Sequence, residues 1–192
     1  QGLDKTIAGI DAAIAVGFDS VKLNALAIRG ITESEVVRLI DFALERNVTV
    51  RFIEFMPLDS DKAWQQDTVL SGDALLAIIR EHYGEVLELP RANPSQPAED
   101  FEVAGGRVGI IRSVSEPFCS SCNRLRITAD GSIRNCLFAQ SDTPIRELMR
   151  GGATDEALLD QIRACVMAKA AAHGINEEGF VAPDRPMYAI GG

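Results

Sequence analysis

CSSCNRLRITADGSIRNC, residues 119–136, holds three of the chain's four cysteines in the pattern C-x2-C-x13-C. Within it, NRLRIT (123–128) alternates polar and apolar residues. On a strand this puts Arg124 and Arg126 on one face and Leu125 and Ile127 on the other. Ala129, Asp130 and Gly131 form a three-residue hairpin turn in which Gly131 is free to take a positive φ. SIRNC (132–136) is then the returning strand. Folding about Asp130 sets Cys136 opposite Arg124 or Leu125, and Cys122 lies about 7 Å further back at roughly 3.3 Å per residue. The long spacer is mostly the two arms of a hairpin, and its effect is to bring three sulfurs to one place beside two guanidinium groups.

Three thiolates admit two readings. Zinc takes a closed tetrahedron of ligands, and the candidates for a fourth are Cys165, His82 and His173. Cys165 falls on the apolar side of a helical segment and reads as a buried thiol. The two histidines sit toward helix C-termini, where they complement the dipole. The second reading is a [4Fe–4S] cluster held by Cys119, Cys122 and Cys136, with one iron left without a protein ligand. An open iron beside two arginines suits a substrate that carries both a donor atom and a phosphate.

The 192 residues are 46% hydrophobic and 24% charged, ordinary values for a globular chain able to bury a core. No apolar run approaches the roughly 20 residues of a membrane span, and there is no secretory leader pattern. A net charge of −9 argues against general nucleic-acid binding. Residues 107–134 differ locally: Arg107, Arg112, Arg124, Arg126 and Arg134 face only Glu116 and Asp130. A basic island on an acidic chain suits one small anion. Four cysteines without an export signal point to metal or redox chemistry in a reducing compartment, so the expected location is cytoplasmic. The chain opens on Gln1 rather than Met, which reads as a processed chain or a fragment whose upstream part is missing.

Outward from the cysteines, the N-terminal part reads as α/β. Residues 4–16 place Ile7, Ile10 and Ile14 at helical spacing, with Gly17 as C-cap. SVKLNALAI (20–28) is expected to be a mostly buried strand. ITESEVVRLIDFALERN (31–47) carries a capping-box pattern, Thr32-x-x-Glu35, and an apolar face of Val36, Leu39, Ile40 and Ala43. VTVRFIEFM (48–56) is a second strand, ended by Pro57. Helix, strand, helix, strand predicts parallel strands from the back part of a larger sheet or barrel. Residues 71–84 form a further helix capped by Ser71 or Asp73. Residues 90–100 are a proline-rich loop, and 101–114 a hairpin about Gly105 and Gly106. A short helix is expected over 143–152 and a long one over 155–174. The expected boundaries are 1–66 for the last βα units, 67–100 for a helix and linker, and 101–192 for a C-terminal cluster domain.

EPFCSSCNRLRITADGSIRNCLF (116–138) resembles the C-terminal cluster motif of the radical S-adenosylmethionine (SAM) GTP 3′,8-cyclases of molybdenum cofactor biosynthesis. VKLN (21–24), RFIEFM (51–56) and IGG (190–192) also look like that family, in matching order. The resemblance implies an incomplete (βα)6 barrel followed by a smaller α+β iron–sulfur domain. It implies a lyase that converts GTP to a 3′,8-cyclised nucleotide after a 5′-deoxyadenosyl radical abstracts the ribose C3′ hydrogen. Cys119, Cys122 and Cys136 would hold a second [4Fe–4S] cluster, and Arg124 and Arg126 would contact GTP. Lys22 and Arg51 would reach the nucleotide from the barrel side, and Met56 would line the SAM site. The tail RPMYAIGG (185–192) would dock through Met187, Tyr188 and Ile190 and send its two glycines into the site. The family's first cluster uses CxxxCxxC, which is absent from this sequence. The expectation is therefore the second half of such an enzyme, inactive alone. Its partners would be GTP and SAM, with no nucleic acid and no membrane; a homodimer is one assembly open to it, and the sequence does not fix the oligomeric state. Two other readings stand beside it: the auxiliary-cluster domain of another radical SAM enzyme, and a zinc- or iron–sulfur-stabilised binding module.

Overall fold

Apolar residues spaced for helix and strand in turn build the N-terminal part as the pattern predicts. The computed structural model describes residues 2–59 and 62–190. Its chain divides into two compact units, one running to Phe55 and resuming over Asp67–Ser115, the other made of Met56–Gln66 and the residues from Glu116 on.

In the first unit the order is α1 (Leu3–Val16), β1 (Lys22–Ala27), α2 (Val36–Glu45), β2 (Thr49–Glu54), α3 (Gly72–Tyr83), β3 (Val86–Glu88), β4 (Glu99–Val103) and β5 (Gly106–Ile111). The sheet order is β1-β2-β5-β4-β3. The first three strands are parallel, while β4 and β3 are antiparallel to their neighbours. The hairpin expected to open the cysteine domain at residue 101 instead joins this sheet, pairing Val50 with Val108 and Phe52 with Ile110. Its alternating apolar face matches that of β2, so pairing there buries both. The tight turn is Ala104-Gly105 rather than Gly105-Gly106: both have positive φ, 49° and 81°, the requirement of a two-residue hairpin turn.

One face of the sheet is packed by α2 and α3. Phe52, Val108 and Ile110 are buried with Val36, Ile40 and Ala43 of α2 and Leu75, Leu76 and Ile79 of α3. Ser71 caps α3 by accepting from the Ala74 N–H, 3.3 Å. The Thr32–Glu35 capping box does not form. The Thr32 hydroxyl donates to Leu26 O (2.8 Å) and accepts from Ile28 N (3.0 Å), closing the loop after β1, and Glu33 accepts from Gly30 N (2.7 Å). β1 is not mostly buried either: Ala27 is buried, but Lys22, Asn24 and Leu26 are exposed on the second face of the sheet. α1 ends at Gly17 (φ 84°) as expected, yet none of its residues is fully buried.

Glu54, at the end of β2, is fully buried. Its carboxylate accepts from the backbone N–H of Gly72 (2.8 Å), Val114 (2.8 Å) and Ser115 (2.7 Å) and from the Ser115 hydroxyl. Ser113 donates to the Glu54 carbonyl, 3.1 Å. One carboxylate thus ties the end of β2 to the first residue of α3 and to the segment after β5. A buried charge is tolerated because it is saturated with donors.

The second unit holds a three-stranded antiparallel sheet of β6 (Arg126–Ile127), β7 (Ser132–Arg134) and β8 (Thr143–Pro144), then α4 (Arg146–Arg150) and α5 (Asp155–Met167). The helix expected over 143–152 is confined to α4, and its first two residues instead form β8, paired with Ser132 and Ile133 of β7. The β6–β7 register pairs Arg126 with Arg134 and Ile127 with Ile133, about the Asp130 turn with Gly131 at φ 81°. α5 stops at Met167, short of Gly174, because tertiary contacts beyond its cap outweigh helix propensity. His173 therefore does not complement a helix dipole: its Nδ1 accepts from Ile175 N (3.2 Å) and its ring lies 4.7 Å from that of Phe138. His82, in the last turn of α3, does sit at a helix C-terminus. The tail docks through Ile190, which is buried, and through Met187, whose N–H donates to Leu58 O at 3.0 Å; Tyr188 is 76% exposed and does not dock. Arg185 donates to Asp142 (2.5 Å) and to Ala189 O (2.6 Å), and Asp142 also accepts from Arg134 (2.6 Å). Gly191 and Gly192 lie outside the described residues. No helix among the described residues is long and apolar enough to cross a membrane.

Glu54→Gln should destabilise the chain by about 3 kcal/mol or more, because it leaves buried donors facing an amide at about 1–3 kcal/mol each. Urea unfolding followed by circular dichroism measures this; a midpoint equal to the parent's contradicts it. Asp142→Ala should release the tail, read as faster chymotryptic cleavage at Tyr188.

Candidate metal centre

The CxxC turn is closed by the Cys122 N–H donating to Cys119 O, 3.1 Å, across the single helical turn Cys119–Ser121. Both sulfurs therefore belong to one turn. Cys136 follows β7, and the β6–β7 register extended by two residues aligns it with Arg124. All three cysteines are half-buried and free of disulfides, whereas Cys165 is buried and its carbonyl accepts from Asn135 Nδ2, 2.7 Å.

Cys119 and Cys122 are held in opposite directions. Burial pushes the Cys119 thiol up; a backbone N–H from His173 opposes this, and the neighbouring Cys136 and Cys122 add to it. Burial also works against ionising Cys122. There, however, the Arg124 backbone N–H, the Arg124 guanidinium and the Lys169 ammonium outweigh it, and the thiol falls to about 7. The contacts are direct: Arg124 Nε donates to Cys122 Sγ at 3.2 Å and Lys169 Nζ at 3.3 Å. The Arg124 guanidinium also lies over the Phe118 ring, 4.9 Å from its centroid.

The Arg126 guanidinium is pushed down, first by burial and then by the like charge of Arg124. An anion at this place would offset the like charge. The rest of the basic island is engaged elsewhere. Arg112 is buried and donates to Glu99 and Asp73, both at 2.9 Å. Arg134 is buried against Asp142 and the carbonyls of Leu137 and Ala139. Arg107, in the first unit, stands 3.8 Å from Asp100. Counting charges along the chain could not separate these structural arginines from Arg124 and Arg126.

Thiolate sulfur suits zinc and iron–sulfur clusters. No three His, Cys, Asp or Glu side chains among the described residues close around a single ion. Two of the candidate fourth ligands for a closed zinc site are otherwise engaged: Cys165 is buried, and His173 Nδ1 accepts from a backbone N–H. Three half-buried sulfurs, one held toward its thiolate form by two cations, are the donor set that a cluster with three protein ligands would use.

The remaining candidates belong to other surroundings. Lys22 opens β1 and is exposed; Arg51 is at mid-β2, in register with Asn24 on one side and Gly109 on the other. A Cβ at Gly109 would stand 2.8 Å from Arg51 Cγ, so the glycine makes room for the arginine stem. Arg51 Nε is buried without a hydrogen-bond partner among the described residues. Met56 follows β2, half-buried, in the second unit. Lys169 was missed in the sequence, since nothing local marks a lysine 47 residues from its cysteine.

In the metal-free chain, iodoacetamide should modify Cys122 faster than Cys119 near neutral pH, because the thiolate is the nucleophile. The Cys122 rate should fall as pH drops through about 7, and Arg124→Ala should move that midpoint upward. Equal rates at the two cysteines contradict the asymmetry.

The Molybdenum Cofactor Synthesis C family profile matches residues 48–175, a span that includes Cys119, Cys122, Cys136, Arg124, Arg126 and Lys169. A GTP 3′,8-cyclase of Rhodopirellula baltica is 57% identical over 195 residues, covering 100% of this chain and 54% of that protein. GTP 3′,8-cyclase 2 of Mycobacterium tuberculosis is 46% identical over 196 residues, with 99% and 54% covered. GTP 3′,8-cyclase of Mycolicibacterium smegmatis is 43% identical over 196 residues, again with 99% and 54% covered. The chain thus spans about half the length of the curated relatives it matches. A profile that covers four strands of the sheet, β2 to β5, and the whole cysteine hairpin places the chain in the Molybdenum Cofactor Synthesis C family.

Proposed function

We propose that this chain is the second-cluster, GTP-binding half of a radical SAM GTP 3′,8-cyclase, a lyase of molybdenum cofactor biosynthesis. The observation that carries the reading is the gathering of three half-buried free thiols with Arg124 and Arg126, in a chain 57% identical to a GTP 3′,8-cyclase. The parallel β1-β2-β5 strands are read as the closing part of an incomplete (βα)6 barrel.

In this reading Cys119, Cys122 and Cys136 hold a [4Fe–4S] cluster. When bound, the cluster supplies an iron without a protein ligand, a Lewis-acid anchor for a base. The chain's own residues do the rest by positioning and charge. Arg126, crowded by Arg124 and by burial, donates to the phosphate oxygens of GTP, where forked donors and two positive charges are best used. Arg124 shares that anion while its Nε stays on Cys122. The family resemblance further assigns Lys22 and Arg51 to the nucleotide; Arg51 Nε is a buried donor without an acceptor among the described residues. Met56, just beyond the C-terminal end of β2, lines the SAM site, since ligands of parallel sheets gather at strand C-termini. Fixing base and triphosphate lowers the entropic barrier to ring closure on the nucleotide. The radical source is assigned to a CxxxCxxC segment that this chain does not contain.

Anaerobically purified chain should hold iron and inorganic sulfide in equal amounts; one zinc with no sulfide contradicts the reading. Arg126→Ala should weaken GTP binding about tenfold or more, the loss of one charge-assisted contact of about 1.5–3 kcal/mol, with iron content unchanged. Calorimetry of the reconstituted chain measures it. With SAM and reductant the chain alone should form no cyclised GTP.

A further inference from the structure

Lys169 follows the Ala168 cap of α5, outside any motif in the sequence. Its Nζ donates to Cys122 Sγ at 3.3 Å and to Arg124 O at 3.0 Å. Arg124 Nε donates to the same sulfur at 3.2 Å. One ammonium therefore touches the sulfur directly and also holds the backbone of the residue that supplies the second donor. Cys119, by contrast, receives a backbone N–H, from His173. The three sulfurs are not equivalent: two cations converge on the one at Cys122.

We infer that Lys169 is a positioning residue that sets the reduction potential of the cluster, by donating to the Cys122 sulfur and by pinning Arg124 against it. The inference rests on the reading that Cys119, Cys122 and Cys136 hold a [4Fe–4S] cluster. Donors and positive charge at a ligand sulfur draw electron density off it. A reduced cluster carries one more negative charge than an oxidised one, so a nearby ammonium stabilises the reduced state more. Lys169 is half-buried, so water screens this interaction less than on an open surface. Lys169 thus raises the potential. The plainer role, a lysine complementing the C-terminal dipole of α5, predicts a loss of stability and no change of potential.

The test uses the full chain, reconstituted anaerobically with iron and sulfide, as the parent and as Lys169→Met and Lys169→Arg. Iron and sulfide are counted first, and a redox titration followed by electron paramagnetic resonance gives each potential. Lys169→Met should keep its iron and shift the reduction equilibrium about tenfold toward the oxidised form, about 59 mV more negative for a one-electron couple. Lys169→Arg should restore most of that shift. A Lys169→Met potential equal to the parent's overturns the inference. So does loss of iron from Lys169→Met with unchanged circular dichroism, which assigns Lys169 to cluster assembly instead. A parent without iron and sulfide overturns the cluster reading itself, and with it this inference, before any variant is compared.

Discussion

The first unit depends on a single saturated anion. Glu54 sits at the end of a buried parallel strand, where a charge is costly unless donors surround it. Three backbone N–H groups and a hydroxyl do so, from the start of α3 and from the segment after β5. Two of the points where the chain leaves this unit lie beside this carboxylate in the chain: Phe55 follows Glu54, and Ser115 donates to it. The same RFIEFM stretch thus supplies the knot of the sheet, Arg51 with its buried, unpartnered Nε and, two residues after Glu54, Met56.

The second unit solves a different problem, that of placing three sulfurs without a large core. A CxxC turn fixes two of them locally, and a short hairpin brings in the third. The hairpin is held from behind by ions: Arg134 beside Cys136 is clamped by Asp142, which in turn holds Arg185 of the tail. Charges that look alike along the chain have separated into structural ones, which meet carboxylates, and Arg124, Arg126 and Lys169, which gather around the sulfurs.

Much of this was legible in the sequence, and what was not has physical causes. The turn at Asp130, the face of α2, the Ser71 cap and the core position of Cys165 follow from local rules of spacing and φ. The partner of the 101–114 hairpin did not follow, because strand pairing is a long-range choice and the apolar alternation of β5 fits either unit. The Thr32 cap failed because its hydroxyl had a better pair of partners in the preceding loop. α5 was read too long for a similar reason. Alanine and lysine favour helix beyond Met167, but Lys169 instead contacts Cys122 and Arg124, contacts that only the folded chain provides. The cysteine trio was visible as spacing; which of its sulfurs is electronically distinct was not.

The central claim is that three sulfurs hold a four-iron cube whose remaining iron answers to a nucleotide. A Mössbauer spectrum of chain reconstituted with ⁵⁷Fe, recorded before and after addition of GTP, tests it most directly. The account predicts a cluster in which one iron differs from the other three and changes its parameters when GTP binds. A spectrum without a cluster, or one in which no iron responds to GTP, contradicts it.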